Sequence, residues 1–139
     1  SSIRTLVEEG FIVIAAGGGG IPVVEDADGN VTGIEAVIDK DLTAERLAAA
    51  IKAEVLLILT DVEQVSLGFG TPAARPVGTA RAAEVRAWLR EGEFPEGSMG
   101  PKMEACARFM EEGGRYAIVT SLEKAGEGLS GTAGTRILP

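Results

Sequence analysis

The chain has 139 residues, a formal net charge of −8, 45% hydrophobic residues and only 4% aromatic ones. That length suits one domain that buries about two-thirds of its unfolded surface over an aliphatic core. The charge would repel a phosphate backbone and so argues against a nucleic-acid partner, and no apolar run is long enough to span a bilayer.

In chain order, Phe11 to Ala16 is a short apolar run ended by glycines and reads as a buried strand. Asp26-Ala27-Asp28-Gly29-Asn30 reads as a hairpin turn, and Ile34 to Ile38 as a short strand. Leu42 to Lys52 has helical spacing, with Leu47 and Ile51 one turn apart and Asp41 placed as its N-cap. Val55 to Leu59 is the next apolar run, and strand, helix, strand at this length suggests a parallel crossover. Residues 63–79 hold Gly68, Gly70, Pro72, Pro76 and Gly78 and read as a loop or irregular hairpin. Arg81 to Arg90 is a predicted helix with Ala82, Val85 and Leu89 on one face. Met99 to Glu111 is another, with a stripe of Met99, Met103, Cys106 and Met110 best read as core packing. Tyr116 to Thr120 is a predicted strand, Glu123 to Leu129 a short helix, and Arg136 to Leu138 a last strand. The order predicts an α/β fold, a three-layer αβα sandwich around a mainly parallel sheet.

The single Cys106 cannot form an internal disulfide, which fits a reducing compartment. With no signal peptide or membrane segment in view, a cytoplasmic protein is expected. Histidine is absent, so any proton transfer falls to other groups or is not needed.

Charged and small residues concentrate at three turns. Of four lysines, Lys40 and Lys102 lie there, and of five aspartates, Asp39, Asp41 and Asp61 do. A lysine is a movable point charge, and short carboxylates suit a metal-bound phosphate. Gly17 to Gly20 follows an apolar run, where glycines allow close backbone approach to an anion. It is neither a P-loop, since no Lys-Ser/Thr follows, nor a dinucleotide fingerprint, since Pro22 stands where the last glycine is needed. From residues alone it is an anion or backbone-approach loop, with a flexible linker as the bland alternative. Asp39-Lys40-Asp41 opens a helix, which attracts phosphate, though a plain cap explains Asp41 equally well. Thr60-Asp61 ends a strand, where ligands of open α/β sheets gather, and a turn cap is again the alternative. Gly97-Ser98-Met99-Gly100-Pro101-Lys102 opens a helix whose free amides and lysine can hold an anion. A lysine in a first helical turn is otherwise a solvated surface charge.

Together, Ile12 to Val23 with its four glycines, Glu35 to Leu42, Leu59 to Val62, Gly97 to Lys102 and Gly134-Thr135 closely resemble carbamate kinase, of the amino-acid kinase superfamily. The resemblance runs over the whole chain, but only as the C-terminal, nucleotide-binding half of such a kinase. The N-terminal substrate half, with its own glycine loop, is expected to be absent. The resemblance implies exchange of MgATP and carbamate with MgADP and carbamoyl phosphate. It implies that Lys40 meets the transferred phosphoryl group, that Asp41 holds lysines in position, and that Thr60, Asp61 and Phe69 lie beside the nucleotide. Gly97, Ser98, Met99, Gly100 and Lys102 would hold nucleotide phosphates, and Gly17, Gly18, Gly19 and Gly20 the carbamoyl-phosphate side. ATP or ADP and Mg²⁺ are then the cofactors, and no residue is assigned as a direct metal ligand. A homodimer, or pairing with a complementary chain, is expected. The rivals are another amino-acid kinase and a non-catalytic truncated fragment or interaction module that retains nucleotide binding at most.

Overall fold

The central strand of the molecule is Tyr116–Ser121, five of whose six residues are buried. Its run of Ala117, Ile118, Val119 and Thr120 is the near-continuous apolar pattern of a strand covered on both faces. The computed structural model describes residues 2–139. In chain order its elements are α1 (Ser2–Glu8), β1 (Val23–Glu25), β2 (Val31–Gly33), α2 (Lys40–Ile51), β3 (Val55–Thr60), β4 (Ser66–Leu67), β5 (Arg75–Pro76), β6 (Thr79–Arg81), α3 (Ala82–Glu91), α4 (Met99–Glu111), β7 (Tyr116–Ser121), α5 (Ala125–Ser130) and β8 (Thr135–Leu138). The main sheet has the order β3-β7-β8-β6. β3 runs parallel to β7 and β6 parallel to β8, while β7 and β8 are antiparallel. The sheet is therefore mostly parallel, as expected, with one antiparallel step.

Alternation along β7 assigns the layers. Ala117 and Val119 join the core with Met103, Cys106 and Met110 of α4. Ile118 and Thr120 face α5, where a Cβ on Gly128 would lie 3.3 Å from Ile118 Cγ2 and 3.0 Å from Thr120 Cγ2. Helix α4 packs on α2 and α3 as well as on the sheet. The methionine stripe is core, as expected: Met103, Cys106 and Met110 are buried and Met99 is partly so. Arg86 of α3 binds Glu104 and Glu111 of α4, at 2.5 Å and 2.7 Å, which fastens the two helices together. Hydrogen bonds and charge pairing with both glutamates hold the Arg86 guanidinium above the usual arginine range.

The first 38 residues depart from expectation. Phe11 to Ala16 forms no strand and is not buried, with Ile12 98% and Ile14 99% exposed. A fully apolar strand needs a ladder partner and cover on both faces, and no element among the described residues supplies them. Ile34 to Ile38 is likewise not a strand, and Val37 is exposed. The predicted crossover from it through α2 is therefore not formed. The parallel pairs that form instead are β3 with β7 and β6 with β8, and the chain between the members of each pair runs through α3 and α4. The turn at residues 26–30 does join a hairpin, β1 with β2, and Asp26 Oδ1 accepts the Asp28 and Asn30 amides at 3.0 Å and 2.9 Å.

Glu45 of α2 is fully buried, and neither carboxylate oxygen has a hydrogen-bond partner. Burial raises its pKa, and Glu112 and Glu104 push the same way against Arg46 and Arg108. The folded state thus holds this proton more tightly than the unfolded chain. Its stabilising contribution is complete below the ordinary glutamate range and is lost as pH rises through the raised folded value. Glu45→Gln should flatten that loss. Urea midpoints measured across the acidic-to-neutral range check this, and an unchanged slope would contradict it.

Candidate functional site

Helix α2 begins at Lys40, and the residue that caps it is Asp39, whose side chain accepts the Asp41 amide at 2.7 Å. Asp41 is therefore not the cap, as spacing had suggested. Freed from that role, its side chain turns to α4, where Lys102 Nζ donates to Asp41 Oδ2 at 2.7 Å. The two side chains are only 14% and 11% exposed. A paired charge this far from water loses hydration but is shielded from salt, so its geometry is held firmly. Cys106, one turn beyond Lys102, is pushed up to about 12 by burial first and by the Asp41 carboxylate second. It is an inert thiol and not a nucleophile. Lys40 itself is exposed at the first position of α2 and has no ion-pair partner among the described residues.

The glycine loop lies against this same helix start. Gly19 accepts a hydrogen bond from Thr43 Oγ1 at 3.1 Å, and a Cβ at position 19 would overlap the carbonyl of Ile38. Close backbone approach is thus the role of this glycine. Gly17, Gly18 and Gly20 meet no other part of the chain within 4 Å of a built Cβ. The loop therefore ends beside Asp39, Lys40 and Asp41 with an open side.

A second cavity lies at the carboxyl end of β3. Asp61, Val62, Gln64, Ser66, Phe69, Phe94, Pro95, Ser98 and Met99 enclose about 650 Å³, open mouth included. Much of that space is the open mouth: the enclosed volume is about 200 Å³, below the usual range of a whole small-molecule site. The structure brings together four of the sequence-predicted nucleotide residues here, namely Asp61, Phe69, Ser98 and Met99. Thr60 stands just behind, its Oγ1 donating to Asp61 Oδ1 at 3.0 Å. Gly97, Gly100 and Pro101 line a neighbouring groove with Phe94 instead. Lys102 is one turn of α4 from Ser98 and Met99, so α4 links the cavity to the Lys102–Asp41 pair.

The first turn of α4 offers fewer free amides than its sequence suggests. The Gly100 amide donates to the Pro95 carbonyl at 3.1 Å, and Pro101 has no N–H. Lys102 is consequently the main positive group of this turn. Sequence reading missed Val62, Gln64, Ser66, Phe94, Pro95 and the Thr43 contact. Phe94-Pro95, just before the Gly97 string, was the one visible signal. The Gly134-Thr135 pair serves the fold. Thr135 Oγ1 accepts the Val65 amide at 2.9 Å and donates to the Val77 carbonyl, pinning residues 65–77 to β8.

The sequence pattern of the amino acid kinase family matches residues 1–121. The chain belongs to that family. It is 48% identical over 136 residues to the carbamate kinase of Thermococcus kodakarensis, covering 98% of this chain and 43% of the relative. It is 51% identical over 137 residues to that of Halobacterium salinarum, covering 99% and 44%. Among solved structures, carbamate kinase from Giardia lamblia bound to AMP-PNP superposes with a TM-score of 0.89 at 38% identity, over 99% of this chain and 48% of that one. The chain thus spans rather under half the length of the carbamate kinases it matches. That superposition agrees with the mixed α/β architecture and its mostly parallel sheet.

Proposed function

We propose that this chain carries the nucleotide side of a carbamate kinase-type phosphotransferase, exchanging ATP and carbamate for ADP and carbamoyl phosphate. The observation that carries the reading is the buried Lys102–Asp41 pair, set between the glycine loop and the cavity lined by Asp61, Phe69, Ser98 and Met99. Support also comes from the Giardia relative, which is bound to AMP-PNP, an ATP analogue.

Carbamate is already an anionic oxygen nucleophile, so no general base is required and the lack of histidine is no obstacle. The barrier lies in bringing anions together and holding attacking and leaving oxygens in line. In this reading Lys40, exposed and without an ion-pair partner among the described residues, meets the transferred phosphoryl group. Asp41 fixes the Lys102 ammonium, which faces the nucleotide phosphates. The open side of Gly17 to Gly20 receives carbamoyl phosphate.

Among the described residues no group of three or more acidic, cysteine or histidine side chains is arranged to hold a metal. Mg²⁺ in phosphoryl-transfer sites is usually held by one or two carboxylates together with the substrate's own phosphates. The exposed Asp61 at the cavity wall fits that need. When bound, the ion neutralises charge on the phosphates.

The chain is read as the nucleotide half of a larger site, and the uncovered apolar run of Phe11 to Ile14 as a seam against the remainder or a complementary chain. The natural full-length protein and the isolated 139-residue chain should both bind ADP by calorimetry. Only the former should form ATP from carbamoyl phosphate and ADP. Robust turnover by the isolated chain would overturn the half-site reading, and failure of both to bind nucleotide would overturn the assignment. Offering carbamate, glutamate and UMP as acceptors separates this activity from other amino acid kinases.

A further inference from the structure

The cavity beside Asp61 has two walls of different character. One is the α3–α4 connection, with Phe94, Pro95, Ser98 and Met99. It is anchored: Phe94 is buried and meets the Trp88 ring edge-on at 6.4 Å between centroids. The other is the β4–β5 hairpin, carrying Ser66 and Phe69. Its ladder is two residue pairs long, and residues 69–76 are exposed throughout. Phe69 itself is 68% exposed and so is held by little packing.

The hairpin tip is mostly bonded to itself. The Thr71 and Ala74 amides and the Thr71 hydroxyl bond within residues 68–74, to Gly68 O, Thr71 O and Gly68 O respectively, and the Ala73 amide bonds Thr71 Oγ1. Among the described residues, one hydrogen bond ties this tip to the body of the molecule: the Gly68 amide donates to Glu93 Oε2 at 3.0 Å. Glu93 belongs to the anchored connection, one residue before Phe94. The bond therefore joins the two walls of the same cavity. It is made at Gly68, which has φ +62, immediately before the Phe69 ring. A second feature favours the same closure: Arg75 on the hairpin and Glu91 and Glu93 on the body line one small cleft beside Trp88. Groups of opposite charge thus line this cleft between the hairpin and the body.

We infer that Glu93 is a positioning residue that latches the β4–β5 hairpin, and so sets Phe69 as the adjustable wall against which a nucleotide's base and sugar are held. This rests on reading the cavity as a nucleotide site. An apolar ring held near the cavity suits a flat aromatic base, and the force on it is delivered through one carboxylate and one amide. The same arrangement makes nucleotide affinity, and not the chemical step, the quantity that Glu93 controls.

The test uses the natural full-length protein carrying Glu93→Ala or Glu93→Gln. Glutamine keeps an oxygen acceptor at nearly the same reach. Amide hydrogen exchange over residues 68–74 should accelerate in Glu93→Ala and return toward wild type in Glu93→Gln. KM for the nucleotide should rise about tenfold in Glu93→Ala, the order expected for one bond to a charged acceptor, with kcat held within about twofold. Glu93→Gln should recover most of that affinity. Unchanged exchange in Glu93→Ala would overturn the latch, and so would a fall in kcat at constant KM. A wild-type protein that binds no adenine nucleotide would instead overturn the reading of the cavity and the role drawn from it, and the exchange data separate that failure from the absence of a latch.

Discussion

On the proposed phosphotransferase reading, Lys40→Ala is expected to lower turnover by about 10²–10³-fold while leaving nucleotide affinity nearly unchanged, the size seen when one preorganised positive or donor group is taken from a transition state. The reason is position. Lys40 is exposed at the start of α2, beside the glycine loop that Thr43 ties down through Gly19. No carboxylate among the described residues neutralises it, so its charge is free for a ligand. A group that meets the phosphoryl oxygens only as they transfer contributes to kcat and little to ground-state binding. Lys102 differs because Asp41 already holds it at 2.7 Å on the helix that leads from the cavity. Lys102→Ala should weaken nucleotide binding as well as turnover, and it also strands the buried Asp41 carboxylate, so its melting temperature must be measured alongside. Lys52, exposed at the end of α2, and Lys124, paired with Glu127 at 3.2 Å on the surface, should be silent when changed to alanine. Steady-state kinetics of the full-length protein on all four variants decides the matter. A loss in Lys52→Ala equal to that in Lys40→Ala would refute the assignment of the site.

Gly134→Ala should destabilise the fold by about 3 kcal/mol, combining the strain of a left-handed backbone with overpacking. Gly134 sits at φ +84, and a Cβ there would lie 2.9 Å from Thr120 Cβ and 3.0 Å from the Val119 carbonyl oxygen. Neither neighbour can retreat, because both belong to β7, the strand buried between two helical layers. The substitution would also disturb Thr135, which pins residues 65–77 to the sheet. Gly126→Ala is the matched control: it lies in α5 with nothing within 4 Å of a built Cβ. There alanine should be neutral or stabilising by up to about 1 kcal/mol, since it relieves the entropy cost of glycine in a helix. Denaturant midpoints at constant m-value measure both changes. Equal midpoints for Gly134→Ala and wild type would show that the close approach is not rigid.

The elements that the residue pattern determined are those whose partners lie within the chain. Val55 to Leu59 and Tyr116 to Thr120 pair with each other, and the Met99 to Glu111 stripe packs beneath them. There, periodicity and burial report the same physical fact, because the faces named by the pattern are covered. Phe11 to Ala16 has an equally strong strand pattern and forms none, since a strand's stability comes from the ladder and layers around it, and none among the described residues reaches it. The site divides in the same way. Lys40, Asp41, Asp61, Ser98, Met99 and Lys102 were visible as charged and small residues at turns, where short-range sequence carries the signal. That Asp39 is the cap and Asp41 the partner of Lys102 was not visible. Either aspartate can cap a helix by spacing, and only the packing of α2 on α4 across 61 positions chooses between them. Gln64 and the Glu93 bond to Gly68 are hidden for the same reason. Each joins segments whose nearness is set by the sheet order and by the way α3 and α4 cover it, and no local pattern encodes that distance.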